Sequence, residues 1–411
     1  MIEPALRYFA NQEPMTLIRN LSHFPSKKHS NFLAYNSVSP VSLPAAERAI
    51  RFINRQSEVG RGMLAEYVGE ESVATRFHQN FGALLKTSPD NISMSTNTSE
   101  SLSMIANGYP FTAGDQIISY VHEYPANHYP WVLQSQRRGV ELIQLSDVEM
   151  DQEHRDYVAS VPGSFARSWS FDELESRVTP RTKIIALSHV QFTSGFAADL
   201  PRLGEFCRQR QIDLVIDAAQ GLGCLPIYPE EYGIACVASS GWKWLLGHIG
   251  AGVMYTSPEF REKIQITMSG SDQMKQETDY LNHTWDPYTT GKKFEFSTVS
   301  YALLDGLSVG VEEIFLPNTL EAIRDHNFAL QELILANLDF SKYQPLVHLP
   351  AHRSGILALI PKISTAEQIA ADLNRQKIVI TPRDGYLRLA PHLCTTEDEV
   401  LAAVAALNSL S

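Results

Sequence analysis

The stretch DLVIDAA (213–219) is a short, nearly continuous apolar run that ends in Asp217. Six further runs share this pattern: DNISMS (90–95), DQIISYV (115–121), VELIQL (140–145), KIIALSHV (183–190), CVASS (236–240) and GVMY (252–255). Strands that are covered by helices on both faces have continuous apolar sequences, whereas half-exposed strands alternate. The segment DLPRLGEFCRQRQI (199–212) has the pattern of a crossover helix. The runs therefore predict an α/β fold with a mostly parallel, seven-stranded sheet.

After residue 300 the sequence pattern differs from the apolar runs of the large sheet, and it predicts a smaller C-terminal α+β domain. The last helix opens with a Thr-x-x-Glu capping box at Thr396 and Glu399. The other predicted helices are FALQELILANL (328–338) and TAEQIAADLNRQ (365–376), and the predicted strands are SGILALIPK (354–362), KIVITP (377–382) and YLRLAP (386–391). We place the large domain at residues 31–315 and the small domain at residues 316–411, and we expect residues 1–30 to pack on the small domain.

Composition excludes several classes of partner. The net charge of −12 argues against nucleic acid, because phosphate contacts need a basic face. The four cysteines form no CxxC pair, which indicates free thiols in a reducing compartment and no metal site: Cys207, Cys224, Cys236 and Cys394. The N-terminus lacks the pattern of a signal peptide, and no apolar stretch approaches the ~20 residues that span a bilayer. We therefore expect a cytoplasmic protein with no membrane partner.

Polar residues cluster where the predicted strands of the large sheet end. They are Thr98 and Ser99, His122 to Tyr124, His189 to Gln191, Asp217 with Gln220, and Ser240 to Lys243. In a doubly wound sheet, ligands bind beyond the carboxyl ends of the strands. These residues therefore predict a single convergent site.

Lys243 is the strongest single candidate in that site. It lies between two tryptophans in SSGWKWLLGHIGAG (239–252), an apolar setting in which a solvated surface charge is not expected. Burial lowers the pKa of an ammonium group, and a neutral amine can form a Schiff base with an aldehyde. The alternative is a structural lysine whose stem packs on the indole rings.

Three further residues support a cofactor site near Lys243: Asp217, Thr98 and Ser99. A carboxylate at the end of a buried strand needs a partner, and the protonated pyridine nitrogen of pyridoxal 5′-phosphate (PLP) provides one. Hydroxyl and N–H groups at the start of a helix suit a phosphate. In isolation, each residue is equally consistent with a helix cap. GHIGAG (247–252) does not fit the dinucleotide motif, and no P-loop occurs, which disfavours nucleotide enzymes.

Taken in order, these segments resemble the class V aminotransferase family, which includes cysteine desulfurases, isopenicillin N epimerase-like proteins and, more distantly, kynureninase. The resemblance covers roughly residues 30 to 400. The matching segments are EYPAN through PW (123–131), SHVQFTSG (188–195), DAAQ (217–220), SGWK (240–243), FEFST (294–298) and YLRLAPHLCTTEDEV (386–400). The resemblance implies fold type I, the cofactor PLP and a homodimeric enzyme.

The resemblance also implies a role for each matching residue. Lys243 carries the cofactor, Asp217 binds its pyridine nitrogen, and Tyr124 stacks on the ring. Thr298 reaches the phosphate of the neighbouring subunit's cofactor, and Arg388 binds the substrate carboxylate. The remaining cofactor-binding residues are Thr98, Ser99 and Ser240 at the phosphate, Gln191 as an amide toward the 3′-oxygen, and Gln220 and Trp242; Asn36 is added as a substrate-binding residue.

Two departures from the desulfurase pattern indicate which branch of the class V family the chain resembles. Desulfurases stack a histidine where this chain has Tyr124, which lacks imidazole's proton chemistry near neutral pH. They also place a nucleophilic cysteine on a loop before the carboxylate-binding arginine, whereas VITPRDGYLRL (379–389) is short and free of cysteine. Cys394 follows Arg388 and is interpreted as structural. The pattern is closer to the epimerase-like branch.

We therefore expect a PLP enzyme that acts on a small amino acid through an external aldimine, as an aminotransferase or an epimerase-like enzyme. A PLP lyase that cleaves a C–S, C–Se or C–C bond at Cβ without a catalytic cysteine is the alternative. A non-catalytic PLP-fold scaffold is disfavoured, because it would not need Lys243, Asp217 and Arg388 together. Four further residues could line the pocket, but each is interpreted as a structural hydrogen-bonding group: His122, His189, Arg61 and Arg383.

Overall fold

The strands and helices are defined in a computed structural model that describes residues 17–63, 66, 69, 71–148, 156, 164–165, 167–276 and 279–411. The strands of these residues, in chain order, are β1 Asn31–Phe32, β2 Ile92–Ser95, β3 Gln116–Tyr120, β4 Glu141–Leu145, β5 Ser164–Phe165, β6 Thr182–Ser188, β7 Asp213–Asp217, β8 Cys236–Ser240, β9 Gly252–Thr256, β10 Tyr343–Val347, β11 Leu357–Pro361, β12 Ile378–Val379, β13 Thr381–Arg383 and β14 Tyr386–Leu389. The α-helices are α1 Leu43–Val59, α2 Val73–Leu85, α3 Thr98–Gly108, α4 Tyr129–Arg138, α5 Phe171–Arg177, α6 Leu200–Arg210, α7 Pro229–Tyr232, α8 Pro258–Lys263, α9 Tyr301–Gly310, α10 Leu320–Asn337, α11 Ala366–Arg375 and α12 Glu397–Ser409.

Seven strands form one sheet in the order β2-β9-β8-β7-β6-β3-β4. The strands from β8 to β4 are parallel to one another, whereas β9 is antiparallel to both β2 and β8. Neighbouring residues of one strand, such as Ile184 and Ile185, pack in different apolar cores because helices cover both faces of the sheet. Each such buried aliphatic side chain contributes about 1.5–3 kcal/mol to stability. The predicted mostly parallel, seven-stranded sheet is confirmed.

A second sheet has the order β13-β14-β11-β10-β5 and is antiparallel except where β5 pairs with β10. Its core contains Leu359 and Leu387 with side chains from α10, α11 and α12. The smaller C-terminal α+β unit is therefore confirmed, as is the capping box of Thr396 and Glu399. Helix α10 begins well before the predicted residue 328, because the side chain of Thr319 caps it by accepting from the N–H of Ala322.

The segment KIVITP, predicted as one strand, is two. Strand β12 pairs with β1 and β13 pairs with β14, with Ile380 between them. The segment around β1 thereby contacts the C-terminal unit. Ala34 forms a β-bridge with Ala390, and the amine of Lys27 donates to the carbonyl of Cys394 at 2.9 Å. The division at residue 315 stays a prediction, and residues 1–16 lie outside the described part. Over the described residues, no helix is both long and apolar enough to cross a membrane.

Candidate active site

Lys243 lies in the turn that follows β8, and its side chain is buried. Burial lowers the pKa of its amine from 10.5 to about 8, the charge of Asp217 opposes this shift, and the charges of Arg388 and Arg383 add to it. About a tenth of such an amine is neutral at pH 7, against less than about 0.1% of an ordinary lysine. The structure thus gives Lys243 the setting that a nucleophilic or basic amine requires.

Asp217 ends β7, the strand beside β8, and its carboxylate is buried. Within the described part of the chain it accepts one hydrogen bond, from Ala219 N to Oδ1 at 2.9 Å, and forms no ion pair. Burial raises the pKa of this carboxyl, while the Ala219 hydrogen bond and the charge of Lys243 lower it. Because a buried charge without a partner is costly, this carboxylate fits a ligand that brings its own cationic N–H group.

Thr98 and Ser240, predicted at the phosphate, are brought together from distant parts of the chain. Their hydroxyl oxygens lie 3.1 Å apart, and both residues are buried. Thr98 is the first residue of α3, so the hydroxyl pair lies at a helix N-terminus, which favours an anion. The side chain of Ser99 is exposed instead. Thr98 and Ser240 are thus the two buried hydroxyls at the predicted phosphate position, and the phosphate roles of all three residues stay predictions.

Two aromatic rings flank the amine of Lys243. Its Nζ lies 5.5 Å from the ring centroid of Tyr124 and 5.2 Å from that of Trp242. Tyr124 is 44% exposed although it borders a buried lysine, and its ring meets Phe192 edge-on at 5.3 Å. An open aromatic face beside the amine is what a stacked planar ring needs.

Glu123 is a buried residue of this region to which the sequence assigns no role. Its carboxylate accepts from Ser188 N at 2.9 Å, Ser188 Oγ, Asn127 Nδ2 at 3.1 Å and Gln191 Nε2 at 2.9 Å. Burial raises its pKa to about 7, although the hydrogen bonds lower it. The network joins the end of β6 to the segment that carries Tyr124. The only sequence signal was the spacing of Glu123 and Asn127 within one motif.

The hydrogen bond to Glu123 orients the side-chain amide of Gln191. Its amide nitrogen donates to Glu123, and its Oε1 is buried without a hydrogen-bond partner among the described atoms. The role implied by the resemblance needs an amide donor at the 3′-oxygen. The amide nitrogen carries two N–H groups and one of them donates to Glu123, so the second N–H remains available as a donor. Its place at the carboxyl end of β6 is as predicted, and its cofactor contact stays a prediction.

Gln220 and Asn36 contact each other. Gln220 donates from Nε2 to the Asn36 carbonyl at 2.9 Å and accepts from Trp244 Nε1 at 3.0 Å, so one of its N–H groups and its oxygen are engaged within the protein. Asn36 Oδ1 accepts from the hydroxyl of Thr381 at 3.0 Å, while its buried Nδ2 has no partner in the described part. Gln220 thus fixes the segment of Asn36, and Asn36 retains a free donor that fits a substrate oxygen.

Arg388 is a buried arginine on β14. Its Nη1 donates to the Phe192 carbonyl, its buried Nε has no partner, and no carboxylate of the described residues lies within 4.0 Å of the guanidinium. Burial, with the charge of Arg383, lowers its pKa to about 10. A buried guanidinium that lacks a counterion fits a substrate carboxylate, which it can bind with two parallel hydrogen bonds.

The remaining candidates lie apart or are structural. Thr298 is exposed, and its hydroxyl lies 3.5 Å from Asp272 Oδ2. His122 pairs with Asp147 at 3.1 Å. Burial lowers the pKa of His189 to about 3, and its ring packs so closely on Gly221 that a Cβ there would meet Nδ1 at 2.2 Å. Arg61 is exposed.

Comparison with known proteins agrees with this geometry. The family model described as "Aminotransferase class-V" matches residues 46–386. The chain belongs to the class V aminotransferase family.

Among class V relatives, the uncharacterized aminotransferase YcbU of Bacillus subtilis is 23% identical over 341 residues, which cover 80% of this chain and 82% of YcbU. The cysteine desulfurase CsdA of Escherichia coli is 30% identical over 238 residues, or 56% of this chain and 54% of CsdA. The fold is similar to that of C-DES in a mutant with glycine covalently linked to its PLP cofactor. That comparison has a TM-score of 0.84 at 19% identity and covers 96% of this chain and 100% of C-DES.

The buried residues described above fit the cofactor of the class V family. The carboxylate of Asp217 lacks a cation, the hydroxyls of Thr98 and Ser240 converge at a helix N-terminus, and Lys243 supplies an amine. The chain is therefore a PLP-dependent enzyme.

Proposed function

We propose that this enzyme acts on a small amino acid, as an aminotransferase or an epimerase-like enzyme. One observation carries the proposal: Arg388 is buried without a carboxylate partner among the described residues, and its charge lowers the pKa of the Lys243 amine. An uncompensated buried cation beside a basic amine suits a substrate that brings both a carboxylate and an amino group to the site.

Each residue has a task in this proposal. When bound, PLP supplies an electron sink that stabilises negative charge at the substrate Cα. Asp217 holds a negative charge against the ring nitrogen and so keeps it protonated. Thr98 and Ser240 anchor the phosphate, and Tyr124 covers one face of the ring. These contacts hold the reacting atoms in place, which reduces the entropy cost of reaction.

Arg388 and Lys243 act on the substrate itself. Arg388 binds the α-carboxylate, which orients the bond from Cα to its hydrogen. The amine of Lys243 would take the proton from Cα as a general base. Return of a proton to the opposite face of Cα from a second group would give epimerisation, whereas the cofactor would support transamination if the proton were not returned to Cα. Loss of a β-substituent at this stage would make the enzyme a lyase, which is the alternative.

The cysteines support a reaction without a thiol nucleophile. All four are free and buried: Cys207, Cys224, Cys236 and Cys394. Burial raises the pKa of the Cys394 thiol to about 11 and that of Cys207 to about 12, so little reactive thiolate forms at neutral pH. We therefore do not propose persulfide-forming desulfuration. Free thiols also support a cytoplasmic location, which we retain as a proposal.

A panel of small amino acids should separate the possible reactions. We expect the holoenzyme to convert at least one of them into its keto acid with pyridoxamine phosphate, or into its enantiomer, detected by chiral chromatography. Pyruvate released with ammonia and a β-substituent such as sulfide, or alanine released from a β-substituted amino acid, would instead establish the lyase. Absence of any spectral response of the holoenzyme to the whole panel would contradict action on a small amino acid.

We also propose a homodimer in which Thr298 contributes to the neighbouring site. Large apolar side chains on the preceding segment support an interface: Tyr280, Leu281 and Trp285 are 71%, 90% and 64% exposed. Sedimentation should show a dimer. Thr298→Ala should weaken PLP binding by about ten-fold, the effect of losing one hydrogen bond to a charged group, while Ser297→Ala serves as the control. A strictly monomeric holoenzyme would refute this arrangement.

A further inference from the structure

The hairpin of β13 and β14 presents two arginines on one face. Thr381 pairs with Arg388, and Arg383 pairs with Tyr386. Directly opposed residues of an antiparallel pair share a face, and so do residues two apart along a strand. All four side chains therefore project from one face of the hairpin. Leu387 projects from the other face, where it is buried in the core of the C-terminal unit.

That face is turned toward the active site. The hydroxyl of Thr381 donates to Asn36 Oδ1 at 3.0 Å, and the guanidinium of Arg388 donates to the carbonyl of Phe192, whose ring contacts Tyr124. Arg383 lies two residues further along the same face, a step of about 7 Å. It therefore shares with Arg388 the face of the hairpin that contacts Asn36 and Phe192.

Arg383 is exposed, and its guanidinium has neither a hydrogen bond nor an ion pair within the described residues. The neighbouring Asp384 does not compensate it, because that carboxylate pairs with Arg167 at 3.2 Å. The charge of Arg383 nevertheless lowers the pKa of both Lys243 and Arg388, so it acts on the reacting groups. The interpretation of Arg383 as a structural hydrogen-bonding residue is not supported.

We propose that Arg383 is a second anion-binding residue, so that the substrate is an amino acid with a carboxylate on a short side chain. The proposal rests on the proposed function, in which Arg388 binds the α-carboxylate. The buried Arg388 would hold the α-carboxylate of the substrate. Arg383, which is exposed on the same face of the hairpin, would bind the side-chain carboxylate. An acidic amino acid thus satisfies both uncompensated cations.

The first test compares acids with their isosteric amides. We expect a higher kcat/KM for L-aspartate or L-glutamate than for L-asparagine or L-glutamine. Arg383→Gln should reduce this acid-to-amide ratio by at least about ten-fold, because a charge-assisted contact is lost. The matched control is Arg375→Gln, an exposed arginine of the same unit that pairs with Asp372 on α11; it should leave the ratio unchanged.

The second test needs no turnover. Succinate and glutarate should bind the holoenzyme at least about ten-fold more tightly than butyrate in calorimetry, and Arg383→Gln should abolish this difference. Equal binding of mono- and dicarboxylates, or a preference that survives Arg383→Gln, would overturn the inference while leaving the proposed function intact. A protein that takes up no PLP and responds to no amino acid would instead overturn the proposed function.

Discussion

Replacing Lys243 by alanine is expected to give a protein without the visible absorption band of the wild-type holoenzyme and with kcat/KM reduced by at least about a thousand-fold. In the proposed function, the buried amine is both the point of cofactor attachment and the base for the Cα proton, so one substitution removes both. Borohydride reduction of the wild type should fix the cofactor to the peptide that contains Lys243, as identified by mass spectrometry.

Lys243→Arg is the matched control for charge. It keeps a cation near Asp217, yet a guanidinium stays protonated and cannot attack an aldehyde. Its activity should therefore be as low as that of Lys243→Ala. Because the amine has a pKa of about 8, the rate at which the apoenzyme takes up PLP should rise as pH increases through that value. Borohydride labelling of another lysine in a fully active enzyme would refute the assignment.

Asp217→Asn is expected to reduce kcat/KM by at least about a hundred-fold while leaving the protein folded. Asparagine has the same shape and can keep the hydrogen bond from the N–H of Ala219, but it carries no negative charge. The ring nitrogen would then lose the partner that keeps it protonated, and the cofactor would stabilise less charge at Cα. Steady-state kinetics and the visible spectrum of the holoenzyme measure both effects.

A matched control lies on the same strand. Asp213, at the opposite end of β7, pairs with Lys263 at 2.8 Å and has no contact with the active site in the described residues. Asp213→Asn makes the same chemical change and should alter only stability, by about 1 kcal/mol or less, since Lys263 is partly exposed. Equal kinetic effects of the two substitutions would show that Asp217 acts through the fold alone.

The large sheet could be predicted closely because its signal is local. Continuous apolar runs such as those of β7 and β8 identify buried strands, and the observed ends fall within two residues of the predicted ones. Strands β1 and β5 could not be predicted. Each has two residues, and each is defined by pairing with a distant segment, which no local pattern reveals.

The site divides in the same way. The positions of Lys243, Asp217 and Ser240 at the carboxyl ends of β7 and β8 could be predicted, because the carboxyl ends of parallel strands meet at one edge of the sheet. The orientation of an amide could not, because it depends on neighbours that are remote in sequence. The carboxylate of Glu123 accepts from Nε2 of Gln191. The carbonyl of Asn36 accepts from Nε2 of Gln220, and the indole N–H of Trp244 donates to Oε1 of Gln220.

The pairing of β1 with β12 has a consequence for how the protein is made. On the ribosome, the residues of β1 emerge before those of the large sheet and β12 to β14 emerge after them, yet these segments form one structure. The large sheet can form while synthesis continues. Arg388, however, has no place against Phe192 until the final hairpin has been released. In the proposed function, a chain arrested before that point would lack the guanidinium that binds the substrate carboxylate.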